Sequence, residues 1–134
     1  MATVKLITDA DADNLPAVKE VFDDIRAARK TDFINNFWRA MANDPALLKR
    51  TWEGLKAVMM VEGNIDPMTR EMIYVAVSIA NSCQYCIHSH TAQARAKGMS
   101  DDTYGELLSI VSLAAQTNHL VTGLQVPIDP EFVA

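Results

Sequence analysis

The stretch DPMTREMIYVAVSIANSCQYCIHSHTAQARAKG, residues 66–98, decides which fold this chain can adopt. Asp66 followed by Pro67 is typical of a helix start, because the carboxylate can cap the helix and proline needs no amide partner there. Gly98 is a typical residue just after a helix C-terminus. An apolar run and a segment rich in cysteine and histidine lie between these signals, with a turn expected near Asn81. The stretch therefore predicts a hairpin of two helices.

Similar start and stop signals flank the hairpin on both sides. Residues 16–30 carry apolar side chains at helical spacing, and Asp44 precedes a proline at the start of another amphipathic segment. Ser100 opens a last long helical segment, which Gly105 is expected to interrupt near its start. We predict an all-α, single-domain helical bundle of about five to seven helices over residues 1–134, with the hairpin as its core motif.

One segment allows a second interpretation. MIYVAVSI, residues 72–79, is rich in β-branched and aromatic side chains and could form a buried strand. A strand followed by a helix that opens with two spaced cysteines would resemble a thioredoxin-type fold. The chain offers no other convincing strand, and the cap at Asp66 favours a helix. As a helix, this run is apolar nearly all round, so we expect it at the centre of the bundle.

Composition and charge exclude several classes of protein. The 134 residues are 49% apolar, which is enough for one globular core. Twelve basic residues stand against 17 acidic ones, with no basic stripe, so we expect no nucleic-acid partner. The N-terminal sequence lacks a signal-peptide pattern, and the longest nearly uncharged apolar run, Met72 to Ala80, is far too short to span a bilayer, so we expect a cytoplasmic protein without a membrane partner. In that reducing compartment, a cysteine pair is catalytic or metal-binding rather than a structural disulfide.

The cysteine-histidine segment has a regular spacing. On a helix, Cys83, Cys86 and His90 fall on one face, which Lys97 continues, whereas His88 points elsewhere. Thiols three residues apart can close a disulfide, and a helix N-terminus favours the thiolate. His90 lies one turn beyond Cys86, where it can exchange a proton with that thiol. The pattern predicts a redox dithiol with an attached base.

Glu71 is the second polar residue that needs an explanation. In an antiparallel hairpin it lies nearer to His90 than to Cys83, so it can orient or charge the imidazole. The spacing suggests a proton relay that runs from Glu71 through His90 to Cys86, with Cys83 as the partner thiol. The ordinary alternative is that an acidic residue in a first helical turn stabilises the helix dipole.

Glu71, eleven residues, Cys83-x-x-Cys86, three residues and His90 together resemble the motif of the alkylhydroperoxidase D-like proteins of the carboxymuconolactone decarboxylase family. The resemblance implies an all-α enzyme, an oxidoreductase that acts as a thiol-dependent peroxidase through a redox-active disulfide. It implies that Cys86 attacks the peroxide and becomes a sulfenic acid, which Cys83 resolves to a disulfide. Glu71 and His90 would form the proton relay.

The resemblance also implies partners. These are an organic hydroperoxide substrate, an unidentified protein or small-thiol reductant, and further copies of the chain in a trimer or hexamer. No cofactor is implied. Tyr85 stands where the namesake proteins have histidine. This departure bears on whether their lipoyl-protein reductant serves this chain.

Three alternatives remain open for the cysteine segment. Cys83, Cys86 and His90 could bind zinc, with Glu71 or His88 as a fourth ligand, although structural zinc sites usually take a second ligand pair. The dithiol could instead exchange with a substrate other than peroxide. The cysteines could also be small apolar side chains in a core.

The remaining histidines and aromatic residues have simpler interpretations. We assign His88 to the surface or an interface, and His119 to a core or an interface. Trp38, Trp52 and Tyr74 follow helical stripes, so we interpret them as packing residues.

Overall fold

The helix starts of this protein follow the capping residues that its sequence predicts. The computed structural model describes residues 1–133. Asp44, Asp66 and Ser100 each occupy an N-cap position, where the side chain accepts a hydrogen bond from the backbone amide three residues further on. Each such cap typically contributes about 1 kcal/mol, because the amide has no acceptor within the helix.

Seven α-helices occur in the described chain, which agrees with the predicted range. They are α1 (Asp9–Ala12), α2 (Pro16–Arg29), α3 (Asn36–Met41), α4 (Pro45–Met59), α5 (Pro67–Ala80), α6 (Gln84–Ala96) and α7 (Asp101–Leu124), followed by a short 3-10 helix, Pro130–Phe132. No β-strand occurs within residues 1–133, so the all-α fold is confirmed and the strand alternative for residues 72–79 is wrong. The expected interruption at Gly105 is also wrong, since α7 continues through this residue.

The chain forms two compact units, Met1–Glu62 and a second unit that begins at Gly63. The first unit has its own apolar core, whose largest fully buried side chains are Trp38, Trp52, Phe22, Ile25, Ile34, Leu48 and Val18. Within it, the Trp52 Nε1–H donates a 2.6 Å hydrogen bond to Asp24, so the indole is buried without losing its polar partner. A single domain over residues 1–134 stays a prediction.

In the second unit, α5 and α6 pack against each other as an antiparallel hairpin over the residues for which the sequence predicts one. Ser82, in the turn, has a left-handed backbone with φ of 56°. The Cys83 amide donates a 2.9 Å hydrogen bond to the Ser78 carbonyl across this turn. Gly98 follows α6 with φ of 104°, a conformation that glycine adopts at low cost. The turn therefore places the first cysteine at the start of α6.

The hairpin packs through one face of α5. Its buried residues are Glu71, Val75 and Ser78. Three apolar side chains of the same helix are exposed instead, namely Ile73, Tyr74 and Val77. Within one chain α5 is thus not enclosed on all sides, contrary to the prediction. The stripe that contacts the rest of the second unit is the one that carries the glutamate.

Helix α7 is largely exposed within the second unit. Leu107 is its one buried residue. The exposed large apolar side chains of α7 are Leu108, Ile110, Leu113, Leu120, Val121 and Leu124. By length and composition α7 is sufficient to cross a membrane, with a mean hydropathy of 1.2 over its best window. One such helix is weak evidence of a membrane span, because helices that pack in soluble proteins can have the same composition.

Candidate redox site

Two free thiols lie at the start of α6. Cys83 is the N-cap residue and Cys86 lies in the first turn, and both side chains are partly exposed. Their Sγ atoms are 2.7 Å apart, which is within hydrogen-bonding distance. A disulfide bond measures about 2.05 Å, so a small movement is enough to join the two sulfur atoms. The structure therefore brings together the two thiols that the sequence predicts as a redox pair.

The two thiols differ in how readily they lose a proton. The hydrogen bond with the Cys86 side chain, and after it the Cys86 backbone amide, lowers the pKa of Cys83. Burial, followed by the hydrogen bond and the charge of Cys83, raises the pKa of Cys86 to about 11. The first proton of the pair therefore leaves Cys83, whose thiolate then accepts a hydrogen bond from the Cys86 thiol. The expectation that the helix N-terminus favours a thiolate is met at Cys83 alone.

Glu71 and His90 form a buried pair between α5 and α6. The His90 Nδ1 and Glu71 Oε2 atoms are 2.6 Å apart, and the two side chains are 15% and 8% exposed, respectively. In the neutral tautomer that suits this contact, Nδ1–H donates to the carboxylate and Nε2 keeps a free lone pair. The predicted contact between these two residues is therefore present. The carboxylate can therefore fix the orientation and the tautomer of the imidazole.

Lys97 supplies a second partner to the same carboxylate. Its Nζ donates a 2.9 Å hydrogen bond to Glu71 Oε1, so each carboxylate oxygen has its own donor. Burial raises the pKa of Glu71, but the hydrogen bonds from His90 and Lys97 and the charge of Lys97 outweigh burial and bring the pKa below its usual value. Glu71 is thus a carboxylate near neutral pH. The sequence places Lys97 on the reactive face, but this salt bridge was not predicted.

Tyr74 is a second residue of the site that the sequence interpretation missed. Its ring stacks on the His90 imidazole, with ring centroids 3.6 Å apart and an interplanar angle of 18°. Burial, and then the charges of Cys86, Cys83 and Glu71, raise the pKa of Tyr74, so the phenol stays protonated near neutral pH. A tyrosine three residues after Glu71 is the signal that could have indicated this contact, since both side chains then point towards the same side of α5.

The other predicted candidates lie outside this cluster. His88 and Tyr85 are exposed on α6, and His119 is exposed on α7 rather than in a core. Within residues 1–133, no group of three or more His, Cys, Asp or Glu side chains is arranged to hold a metal ion. The zinc alternative therefore finds no supporting ligand cluster in the part of the chain that the structure describes.

Comparisons with known proteins show the family to which the chain belongs. Residues 45–129 match the sequence profile of the carboxymuconolactone decarboxylase family. A crystal structure described as the alkylhydroperoxidase AhpD core from Rhodospirillum rubrum has a TM-score of 0.97 and 64% sequence identity, over 100% of this chain and 98% of that chain. An uncharacterized protein of Bacillus subtilis, YdfG, is 39% identical over 54 residues, which are 37% of each chain.

A second curated relative is uncharacterized protein 4 in the cox locus of Paracoccus denitrificans. It is 29% identical over 58 residues, which cover 43% of this chain and 52% of the relative. The matched part of this chain thus spans about half or less of the length of the two curated relatives.

Proposed function

Because this chain belongs to the carboxymuconolactone decarboxylase family, we propose that it is an alkylhydroperoxidase-type oxidoreductase that reduces organic hydroperoxides. The observation that carries the proposal is the 2.7 Å approach of the Cys83 and Cys86 sulfur atoms. The contact between Glu71 on α5 and His90 on α6 supports it, since it supplies a base for thiol chemistry. The name of the Rhodospirillum rubrum protein, alkylhydroperoxidase, supports the same reaction class.

The first step oxidises one thiol. His90 accepts the proton of Cys86, and the thiolate sulfur attacks the terminal peroxide oxygen. The O–O bond breaks, and the leaving alkoxide takes the proton back from His90 as it becomes an alcohol. Cys86 becomes a sulfenic acid, so the sulfur has lost two electrons to the peroxide. A base is needed for this step, because the pKa of about 11 keeps Cys86 protonated near neutral pH.

The second step closes the disulfide. The Cys83 thiolate attacks the Cys86 sulfur, the S–O bond breaks, and the hydroxide leaves as water after taking up a proton. The lowered pKa of Cys83 suits this role, because the attacking thiol must be ionised. In total, two thiols and one hydroperoxide give a disulfide, an alcohol and water. A protein or small-thiol reductant then reopens the disulfide by thiol exchange.

The test is the intact mass and free-thiol count of the reduced protein, before and after an equimolar amount of tert-butyl hydroperoxide. The proposal predicts a loss of about 2 Da together with both thiols, as hydrogen leaves each sulfur. Oxidation by a small disulfide but not by the peroxide would instead indicate a thiol–disulfide oxidoreductase with another substrate. Unreactive thiols with a retained zinc mass would refute both redox functions.

Single variants assign the two cysteines. Treated with peroxide and dimedone, which traps sulfenic acids, Cys83→Ser should gain one adduct at Cys86, whereas Cys86→Ser should gain none. The opposite labelling pattern would make Cys83 the attacking thiol. The order of ionisation would explain that outcome, since Cys83 is the thiol that loses its proton first.

We also propose that the chain forms a homo-oligomer. The family resemblance implies a trimer or a hexamer. The exposed apolar side chains of α7 support this, because soluble proteins seldom leave many large apolar side chains of one helix in water. Light scattering on the wild type and on Leu113→Glu tests it. A smaller particle for the variant is expected, and a wild type that is monomeric at working concentration would refute the proposal.

A further inference from the structure

The Lys97 side chain reaches from the end of α6 to the carboxylate of Glu71. Lys97 is the C-cap residue of α6, and its Nζ lies 2.9 Å from Glu71 Oε1. The lysine side chain is 31% exposed, whereas the glutamate side chain is 8% exposed. The ammonium thus stands between solvent and a buried carboxylate whose other oxygen contacts His90.

We propose that Lys97 is a positioning residue, which balances the charge of Glu71 so that His90 stays uncharged and able to accept the proton of Cys86. This inference rests on the proposed function, because it gives the dithiol its base. A buried carboxylate needs a positive partner, and two groups in this site can supply the charge. With the ammonium present, a neutral imidazole needs only to donate Nδ1–H to Oε2.

Without the ammonium, the carboxylate would be balanced by protonating the imidazole. A protonated His90 cannot accept a proton from a thiol, so the base would be lost at neutral pH. The site would then keep its shape but lose its function over part of the pH range.

The groups that face His90 limit the alternatives. From α5 these are Glu71 and Tyr74, and the phenol of Tyr74 stays neutral because its pKa is raised. On α6, Cys83 and Cys86 lie at the start of the helix, and Lys97 at its end contacts the same carboxylate as His90. A thiolate at Cys83 adds negative charge, which increases the demand for a cation beside the carboxylate. Within this set, Lys97 is the residue whose ammonium contacts the carboxylate.

The test compares Lys97→Met with Lys97→Arg. Methionine keeps most of the length and removes the charge, whereas arginine keeps the charge and can still donate to Oε1. The rate of peroxide-driven thiol loss is measured from pH 5 to pH 9. For Lys97→Met, the acidic limb of the pH–rate profile should move to higher pH by about one unit. This is the lower end of the shift that a nearby charge causes, because Lys97 is partly exposed. At a given pH on that limb, the rate for Lys97→Met should fall about tenfold, whereas its plateau at high pH is retained. The profile of Lys97→Arg should follow that of the wild type.

A second measurement on the reduced protein needs no peroxide. Nitrogen-15 spectra of the imidazole follow the protonation of His90 with pH in each variant. In Lys97→Met the imidazole should titrate at higher pH than in the wild type and in Lys97→Arg. A titration that superimposes on that of the wild type, or a rate profile lowered uniformly at all pH values, would overturn the inference. Failure of the peroxide reaction in the wild type would refute the proposed function, while the spectra would still decide the role of Lys97.

Discussion

Replacement of Glu71 by glutamine removes the charge at the centre of the site and leaves its shape unchanged. Glu71 accepts two charge-assisted contacts, from His90 at 2.6 Å and from Lys97 at 2.9 Å. Hydrogen bonds to charged groups contribute about 1.5–3 kcal/mol each, and a neutral one contributes about 1 kcal/mol. Glutamine can keep one neutral acceptor contact. The contact with Lys97 contributes less than a fully buried one, because Lys97 is partly exposed. The free energy of unfolding should therefore fall by about 2–3 kcal/mol.

The pH dependence of this loss gives a sharper test. The pKa of Glu71 is lowered in the folded chain, so its stabilising contribution is complete above the unfolded pKa of about 4.3 and disappears as pH falls through the folded pKa. Urea unfolding at equal protein concentration should show the full difference at pH 7 and a reduced one at pH 3.5. Glu106→Gln, the same change at an exposed residue of α7, should match the wild type. A Glu71→Gln variant as stable as the wild type at pH 7, or a difference that persists unchanged at pH 3.5, would refute this account.

Three further predictions concern single contacts. Tyr74→Leu should slow peroxide-driven thiol loss about threefold to tenfold, because the stack with Tyr74 contributes about 0.5–1.5 kcal/mol to the orientation of His90. The rate for Tyr74→Phe, which keeps the ring, should stay within about twofold of the wild-type rate. In urea unfolding, Asp44→Ala should cost about 1 kcal/mol for the lost cap of α4, and Asp44→Ser should recover most of it. With iodoacetamide, peptide mapping should find label on Cys83 at lower pH than on Cys86, whose pKa is about 11, and earlier labelling of Cys86 would contradict the order of ionisation.

The parts of this fold that follow from local chemistry could be predicted from the sequence. Asp44, Asp66 and Ser100 each precede a helix and bind its free amides, and such a contact depends on a few neighbouring residues only. The contact between Glu71 and His90 was also predictable, because two helices joined by a short turn can meet in few ways. The membership in the family follows from the same short motif and is confirmed by the matched profile.

The parts that depend on how two helices rotate against each other could not be predicted in this way. The apolar run of α5 predicts burial on nearly all sides, whereas Ile73 and Val77 are exposed within one chain. The salt bridge between Lys97 and Glu71 joins residues 26 apart, and it requires both the helix rotation and an extended lysine rotamer. The stack of Tyr74 on His90 has the same origin. A hydrophobic pattern predicts which residues can be buried, but it does not predict which side of an apolar helix contacts its neighbour.

The turn between α5 and α6 makes the site sensitive to the number of residues that separate the two helices. Each residue of a helix advances by about 100°, so one extra residue in the turn would rotate the thiols and the imidazole away from α5. Ser82 takes a left-handed conformation and lets the Cys83 amide reach the Ser78 carbonyl, which sets the register of the hairpin. The same register that brings Cys83 next to the end of α5 brings His90 next to its start. The spacing from Glu71 to the first cysteine therefore determines whether Glu71 can contact His90.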